Sequence, residues 1–278
     1  MTPTQASSLR VALLGAGRVA SQLGLALHQA GHQVPYVWSR TTASAAALAA
    51  TLPHTQILPD LNLMALPPAD VYLLAVSDAA VPVVLAQAQF PTGAIVAHTS
   101  GAVPLAVFGS YPGVQGGVFY PLQTFSVGRT LNWRTVPLCI EAVTPTAEAT
   151  LLTLAHTLSA SVQRVDTAQR QAMHLAAVFA CNFPNHLLGI SHALLQEQQL
   201  PLALLGPLIQ ETVEKALANP PFTVQTGPAA RQDEPTLARH RGALTAYPDW
   251  LELYNLLSDS IKRQQAEGGL NNQGQQEL

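Results

Sequence analysis

The chain has 278 residues, of which 48% are apolar and 10% are charged, so it has material for a full core and too little charge for a disordered protein. Its net charge is −3, and it therefore lacks the basic surplus that binding to nucleic acid requires. The two cysteines, Cys139 and Cys181, have neither metal-motif spacing nor the number needed for a disulfide framework, which favours a reducing, cytoplasmic setting.

Both ends of the chain are predicted to be disordered. Residues 1–8 are a small polar lead-in without the apolar segment of a signal peptide, and residues 266–278 are rich in Gly, Asn and Gln.

Residues 79–128 contain no Asp, Glu, Lys or Arg, but prolines interrupt them, and no apolar run approaches the ~20 residues of a membrane span. We therefore expect no membrane contact.

Residues 9–166 alternate short β-rich runs with helical ones, which predicts an α/β domain with a doubly wound parallel sheet, the Rossmann arrangement. Several runs are almost wholly apolar, as expected of strands that are covered on both faces. The predicted strands are residues 10–15, 34–39, 71–76, 94–98, 117–120, 138–142 and 162–165.

From residue 167 onward the strand signals stop, and an all-α domain is predicted over residues 167–265. Its first helix, residues 167–198, would measure ~48 Å, which exceeds the ~26 Å scale of so small a domain. We therefore expect a homodimer that covers its apolar faces. The predicted helices are residues 167–198, 201–218, 235–246 and 248–265.

The first strand runs into Gly15-x-Gly17-x-x-Ala20, the pattern of a dinucleotide-binding turn. Gly15 permits the tight turn, Gly17 lets the backbone approach a pyrophosphate, and Ala20 allows close packing of helix on strand. The N–H groups at the start of the next helix would bind the pyrophosphate. The alternative is a glycine-rich turn that binds no nucleotide. The predicted contacts of this turn are Gly15, Ala16, Gly17, Arg18, Val19 and Ala20.

The end of the second strand favours NADP over NAD. An NAD site has an acidic residue about 20 positions after the glycines, and this chain has no carboxylate before Asp60. It has Arg40 there, which can bind a 2′-phosphate with help from neighbouring hydroxyls. The alternative for Arg40 is a solvated residue at a helix start. The predicted contacts beyond the glycine turn are Ser39, Arg40, Thr41, Val76 and Ser77.

Four further motifs are separated along the chain. They are His98-Thr-Ser100-Gly, Tyr120-Pro-Leu-Gln123-Thr, the run from His174 to His186, and the loop from Gly227 to Asp233. With them the chain resembles, over about residues 9–263, the bacterial Rossmann-like proteins with a C-terminal helical domain of unknown function. That group is related to pyrroline-5-carboxylate reductase, deazaflavin-dependent NADP oxidoreductases, 3-hydroxyacid dehydrogenases and ketopantoate reductases.

This resemblance implies an NADP-linked reductase of a small oxo acid or imine, with His98, Ser100 and Gln123 at the substrate. The chain departs from the family pattern at two positions. Tyr120 stands where the family often has His, and Gln232 stands where Gly is usual, which leaves the roles of both residues open.

The helical half supplies a candidate general acid. Many such dehydrogenases place a Lys on the first helix after the nucleotide domain, and this chain has His174 there, with a reference pKa of ~6.5 for the residue type. At 100° per residue, His174 and Asn185 lie within about 20° of one direction and Asn182 lies about 80° away. Pro184 should kink the helix after Ala180. His174 is thus predicted to donate a proton while Asn182 or Asn185 orients the oxygen. The alternative is a packing role.

The loop after residue 226 supplies a candidate carboxylate site. Arg231 has the planar fork that matches two oxygens, with Thr236 and His240 on one helical face beyond it. The alternative for Arg231 is an ion pair with Asp233 or Glu234. No pair of histidines has convincing ligand geometry, so no metal is expected.

We therefore predict an NADP-dependent oxidoreductase that transfers a hydride to a small 2-oxo acid such as ketopantoate, with the substrate between a Rossmann and a helical domain. An imine or deazaflavin reductase is a second possibility. A third is an NADP-binding sensor or interaction protein without turnover.

Overall fold

The computed structural model describes residues 8–126 and 128–274. It divides into two compact units, Met1–Phe183, here the Rossmann unit, and Pro184–Leu278, here the helical unit. Most of the predicted lead-in, residues 1–7, lies outside the described residues. Ser8 is described, and its hydroxyl donates to the carbonyl of Gly31 at 2.8 Å.

The Rossmann unit is built on one eight-stranded sheet with the order β3-β2-β1-β4-β5-β6-β7-β8. Neighbouring strands are parallel except β6 and β7, which pair antiparallel. The predicted doubly wound sheet is confirmed, as are its seven predicted strands. The strands are β1 Val11–Leu14, β2 Tyr36–Trp38, β3 Gln56–Ile57, β4 Val71–Leu74, β5 Ala94–His98, β6 Val114–Pro121, β7 Leu138–Ala142 and β8 Val162–Arg164.

The core lies on both faces of this sheet, which explains the unbroken apolar runs of its strands. In β1, Val11 and Leu13 belong to the cluster on one face, while Ala12 and Leu14 belong to the cluster on the other. Successive side chains of a strand point to opposite faces of the sheet. When both faces are buried, each position of the strand is therefore apolar.

Helices cover the sheet and make up the helical unit. Among the described residues, no helix combines the length and apolar character that a bilayer span requires. The α-helices are α1 Arg18–Gln29, α2 Thr42–Ala49, α3 Val81–Gln87, α4 Pro145–Leu158, α5 Thr167–Ala177, α6 Phe183–Glu197, α7 Gly206–Ala218, α8 Glu234–Ala243 and α9 Pro248–Gly274.

The boundary between the compact units lies at Phe183, seventeen residues after the predicted one. A capping box marks the start of α5, where the Asp166 carboxylate accepts from the Gln169 N–H at 2.8 Å and the Gln169 side chain accepts from the Asp166 N–H. The helix therefore begins where the sequence predicts. However, α5 packs into the Rossmann unit through the buried side chain of Arg170, so it belongs to that unit.

Two helices differ from their predicted form. The chain forms a π-helical turn at Val178–Asn182, just before Pro184, whose missing N–H removes the α-helical partner of the Ala180 carbonyl. At the other end, α9 continues to Gly274, past the predicted start of the disordered tail at residue 266, because each added residue of an established helix gains a hydrogen bond. Residues 275–278 lie outside the described part of the chain.

Candidate functional site

The glycine turn has the geometry that the fingerprint requires. Gly15 has φ +121°, and a Cβ placed there would lie 2.2 Å from the Ala75 carbonyl oxygen, so only glycine fits. Gly17 precedes α1, and nothing lies within 4 Å of the place where its Cβ would be. The first N–H groups of α1 thus begin beside open space, as an anion site at a helix N-terminus requires.

A cavity of about 760 Å³ opens at this turn, beyond the carboxyl ends of β1, β2 and β4. Of the predicted cofactor contacts, three lie outside its lining. Ala20 is buried under the turn, Arg18 is exposed and Val19 is half-buried. The predicted contacts that do line the cavity are Gly15, Ala16, Gly17, Ser39, Arg40, Thr41, Val76 and Ser77.

The charge of this cavity suits a ribose 2′-phosphate better than an unmodified 2′-hydroxyl. Arg40 lies exposed in its wall, and no Asp or Glu stands among the described residues that line it. The Thr41 hydroxyl donates to the Ser44 hydroxyl at 2.7 Å, which groups two hydroxyls beside the guanidinium. An NAD site would need a carboxylate here for the 2′-hydroxyl, whereas an arginine accommodates a 2′-phosphate. The residues present therefore fit NADP.

The loop after β5 is held by its own buried side chains. His98 is fully buried, stacks on Phe108 with ring centroids 5.9 Å apart, and accepts the Ser100 N–H at Nδ1. The Ser100 hydroxyl accepts the N–H groups of Ala102 and Val103, each at 3.0 Å. Both side chains thus stabilise the loop, and their predicted contact with substrate stays a prediction.

The buried imidazole of His98 is neutral throughout the physiological range. Burial, together with the positive charge of Arg170, lowers the pKa of His98 to about 3. Because Nδ1 accepts a hydrogen bond, the single proton of the neutral ring is on Nε2. His98 is therefore not a general acid near pH 7.

Acidification from pH 7 to pH 5 should lower the free energy of unfolding by about 2 kcal/mol through His98 alone. An unfolded histidine takes up its proton near pH ~6.5, while the folded His98 does so only near pH 3, so stability is lost as the pH falls between these values. Urea unfolding at both pH values measures this loss in the wild type, in His98→Leu, and in His28→Gln as an exposed control. An equal loss in wild type and His98→Leu would contradict the assignment.

Arg170 was not predicted from the sequence, and its fully buried guanidinium joins α5 to this loop. Its Nη1 donates to the carbonyls of Ser100, Gly101 and Val103 at 3.2, 3.0 and 2.8 Å. Its Nη2 pairs with the Glu141 carboxylate at 3.0 Å. A signal was present, because Arg170 lies four residues before His174 and hence on the same helical face.

His174 lies beside Tyr120 in the Rossmann unit. The Tyr120 hydroxyl is 3.1 Å from His174 Nδ1, and the two rings meet edge to face. The backbone of Gly101 packs closely against both rings, because a Cβ placed there would lie 2.6 Å from His174 Nδ1 and 2.8 Å from Tyr120 Cζ. His174 is half-buried, and among the described residues only Nδ1 of its ring has a hydrogen-bond partner.

Two other predicted residues of the Rossmann unit are exposed. Gln123 accepts the Thr124 N–H at its side-chain oxygen at 2.8 Å, and Asn182 ends the π-helical turn. Their proposed roles in substrate binding and in orienting the oxygen stay predictions.

In the helical unit, Arg231 is exposed and forms no salt bridge with any described residue. The two carboxylates that were its alternative partners are engaged elsewhere. Asp233 accepts the Thr236 N–H at the start of α8, and Glu234 pairs with Lys262 and Arg241. Arg231 therefore forms no side-chain hydrogen bond or salt bridge among the described residues, although, beside the hydrogen bonds from Thr236, its positive charge helps to lower the pKa of Asp233.

The other predicted residues of the helical unit have local partners. His240 Nδ1 lies 2.9 Å from the Tyr254 hydroxyl, and Thr236 accepts from Arg239 at 3.0 Å. Asn185 is exposed on α6. Gln232 has φ +54°, a left-handed conformation that glycine adopts freely, which explains why glycine is usual at this position in the family pattern.

No group of three His, Cys, Asp or Glu side chains with metal-binding geometry occurs in the part of the chain that the structure describes.

Comparison with known families matches both halves of the chain. Residues 2–118 match the Rossmann-like domain, and residues 136–261 match a domain of unknown function, DUF2520. None of the curated proteins that were compared matches the chain.

Solved structures resemble the chain over nearly its full length. A candidate NADP oxidoreductase from Bacteroides fragilis is 36% identical, covers 94% of this chain and 100% of its own, and has a TM-score of 0.84. A reductive aminase from Aspergillus terreus, in complex with NADPH and ethyl levulinate, is 17% identical over 94% of this chain and 95% of its own, with a TM-score of 0.66. An imine reductase from the same organism is 18% identical over the same shares, with a TM-score of 0.60. The last two share the fold.

Proposed function

Because the chain belongs to the family that joins a Rossmann-like domain to a DUF2520 domain, we propose that it is an NADP-dependent oxidoreductase that reduces a small 2-oxo acid such as ketopantoate. The observation that carries this proposal is the cavity above the Gly15 turn, in which Arg40 stands where an NAD site has a carboxylate. The relative with 36% identity is a candidate NADP oxidoreductase, which supports the same cofactor.

Different residues of the chain are proposed to bind different parts of the dinucleotide. The N–H groups at the start of α1 bind the pyrophosphate, and Arg40, Ser39 and Thr41 bind the 2′-phosphate. Val76 and Ser77, which line the same cavity, would contact the ribose of the nicotinamide. When bound, NADPH supplies the hydride that the carbonyl carbon receives.

His174 is proposed to donate the proton that the carbonyl oxygen receives. The ring has Nδ1 beside Tyr120, which leaves Nε2 for the substrate. Asn182 and Asn185 are the candidates for orienting the oxygen, because an amide N–H can donate to it without losing a proton. Neither lysine of the chain lies on α5, so His174 is the candidate proton donor on that helix.

Arg231 is proposed to bind the carboxylate of the substrate, because its guanidinium is exposed and forms no salt bridge with the described residues.

The test of the proposed function is NADPH oxidation with ketopantoate, other 2-oxo acids, their uncharged esters and cyclic imines. Turnover of the acids but not of the esters is the expected result. Turnover of the imines alone would favour the second candidate, an imine reductase, which the shared fold of the Aspergillus terreus enzymes supports. Failure of the whole panel would favour a sensor without turnover.

Arg40→Ala should weaken NADPH binding at least tenfold and leave NADH binding nearly unchanged. A charge-assisted hydrogen bond contributes ~1.5–3 kcal/mol, and about 1.4 kcal/mol corresponds to tenfold in affinity. Fluorescence titration measures both dissociation constants, with Arg134→Ala as the exposed control outside the cavity. Equal losses for both cofactors would mean that Arg40 contacts the adenine or supports the fold.

We also propose a homodimer, because the helical unit leaves large apolar side chains exposed. Leu217 is 84% exposed, and Leu208 on the same helix is 64% exposed. Burying one such side chain stabilises an interface by ~1.5–3 kcal/mol, and a second copy of the chain can bury it. Light scattering at micromolar concentration should give twice the mass of the chain, and Leu208→Asp should lower that mass. A monomeric wild type would reject the dimer.

A further inference from the structure

We propose that Tyr120 is a positioning residue that occupies Nδ1 of His174, so that Nε2 is the nitrogen that exchanges a proton with the substrate. The substrate part of this inference rests on the proposed function, while the hydrogen bond and its effect on the imidazole do not. Tyr120 is one of the two positions where the chain departs from the family pattern, which often has His there.

The geometry holds the two rings together from several sides. Tyr120 is 8% exposed near the end of β6, and its hydroxyl lies 3.1 Å from His174 Nδ1. The ring centroids are 6.1 Å apart at an angle of 74°. Gly101 closes one side, because its backbone leaves no room for a Cβ beside either ring. The Gly101 carbonyl is itself fixed by the guanidinium of Arg170 at 3.0 Å.

The Tyr120 hydroxyl keeps its proton. Burial raises the pKa of Tyr120 to about 12, and Cys139 on β7 and Asp78 after β4 act in the same direction, while Arg170 on α5 opposes them. Within the described chain His174 is its hydrogen-bond partner, and we assign the donor role to the phenol, which places the proton of the neutral imidazole on Nε2.

The same contact persists when the imidazole is charged, because Nδ1–H can then donate to the phenol oxygen. In the reaction, the Nε2–H bond of the imidazolium breaks and the O–H bond of the product forms. The neutral ring formed in this step carries its proton on Nδ1, which donates to the Tyr120 oxygen; this tautomer is transient, because a proton from solvent then binds Nε2 and restores the imidazolium. Tyr120 thus holds the ring orientation through both protonation states.

NMR of protein labelled with nitrogen-15 at histidine tests the hydrogen bond without substrate or turnover. At a pH where the His174 ring is neutral, the wild type should show one tautomer, with the proton on Nε2 and well-separated shifts for the two nitrogens. Tyr120→Phe should bring the two shifts together, because both tautomers become populated. Tyr111→Phe, a half-buried tyrosine outside the pair, should change neither shift. Mixed tautomers in the wild type, or an unchanged tautomer in Tyr120→Phe, would overturn the proposal.

Kinetics separates this proposal from the proposed function. Tyr120→Phe should lower kcat about tenfold with KM within twofold, because ring orientation is lost while substrate binding is kept. Tyr120→His introduces the residue that the family often has, and this variant should keep at least a third of the wild-type kcat. An unchanged kcat in Tyr120→Phe would overturn the positioning role. Absent turnover in the wild type, with the single tautomer present, would reject the proposed function and leave the Tyr120 contact standing.

Discussion

Replacing His174 with Asn is expected to lower kcat by ~10²–10⁴, with the melting temperature and the affinity for NADPH unchanged. Asn resembles part of the imidazole in shape, and its amide can still reach toward the Tyr120 hydroxyl. It has no proton acidic enough to give to a carbonyl oxygen, so only the proton-transfer step should suffer. Steady-state kinetics and an NADPH titration on the same preparation measure both quantities.

The control for this variant is His156→Asn, which changes an exposed histidine of the Rossmann unit and should leave kcat as it is. A His174→Asn enzyme within threefold of the wild-type kcat would show that His174 is a packing residue. His240, which contacts Tyr254 in the helical unit, or an ordered water would then become the candidate donor.

Arg170→Met is expected to lower the free energy of unfolding by about 3–5 kcal/mol. The substitution removes the charged partner of Glu141 and leaves the carbonyls of Ser100, Gly101 and Val103 without the guanidinium donor. Methionine retains the apolar stem but not the guanidinium, so the loss reports the unpaired polar groups together with the space that the guanidinium filled. Urea unfolding measures it.

An exposed ion pair of the same unit provides the matched control. Arg164 and Glu148 are 3.3 Å apart with side chains 66% and 37% exposed, so Arg164→Met should cost less than ~1 kcal/mol. Adding Glu141→Gln to Arg170→Met should recover part of the loss, because the unpaired charge is removed. Equal effects of Arg170→Met and Arg164→Met would contradict the account of Arg170 as the buried anchor of the loop.

The parts of the fold that follow from local sequence were predictable. The apolar runs of β1 and β4, bounded by turn residues, identify strands that are covered on both faces, and the glycine turn with Arg40 lies within one βαβ segment. Strand β3 has two residues, too few to show any periodicity, and was missed. The antiparallel pairing of β7 follows from the connection after β6, in which the described residues form no α-helix that would carry the chain back across the sheet.

The missed parts of the site depend on long-range contacts. Arg170 satisfies backbone carbonyls about seventy positions earlier in the chain, and carbonyls have no residue signature. Tyr120 was singled out as a departure from the family pattern, but its contact with His174 joins β6 to α5 across 54 positions. The π-helical turn was predicted only as a kink near Pro184. The proline identifies which backbone N–H is absent, but it does not determine which hydrogen bonds form in its place.

Mass spectrometry of the product formed from ketopantoate and NADPH deuterated at C4 of the nicotinamide would follow the transferred hydride itself. We expect one deuterium on the carbon that carried the oxo group, with the label supplied by one of the two C4 positions only. Deuterium-free product from NADPH that carries deuterium at both C4 positions, or no product from ketopantoate, other 2-oxo acids and cyclic imines while NADPH binds, would contradict an oxidoreductase and leave a protein that binds NADP without turnover.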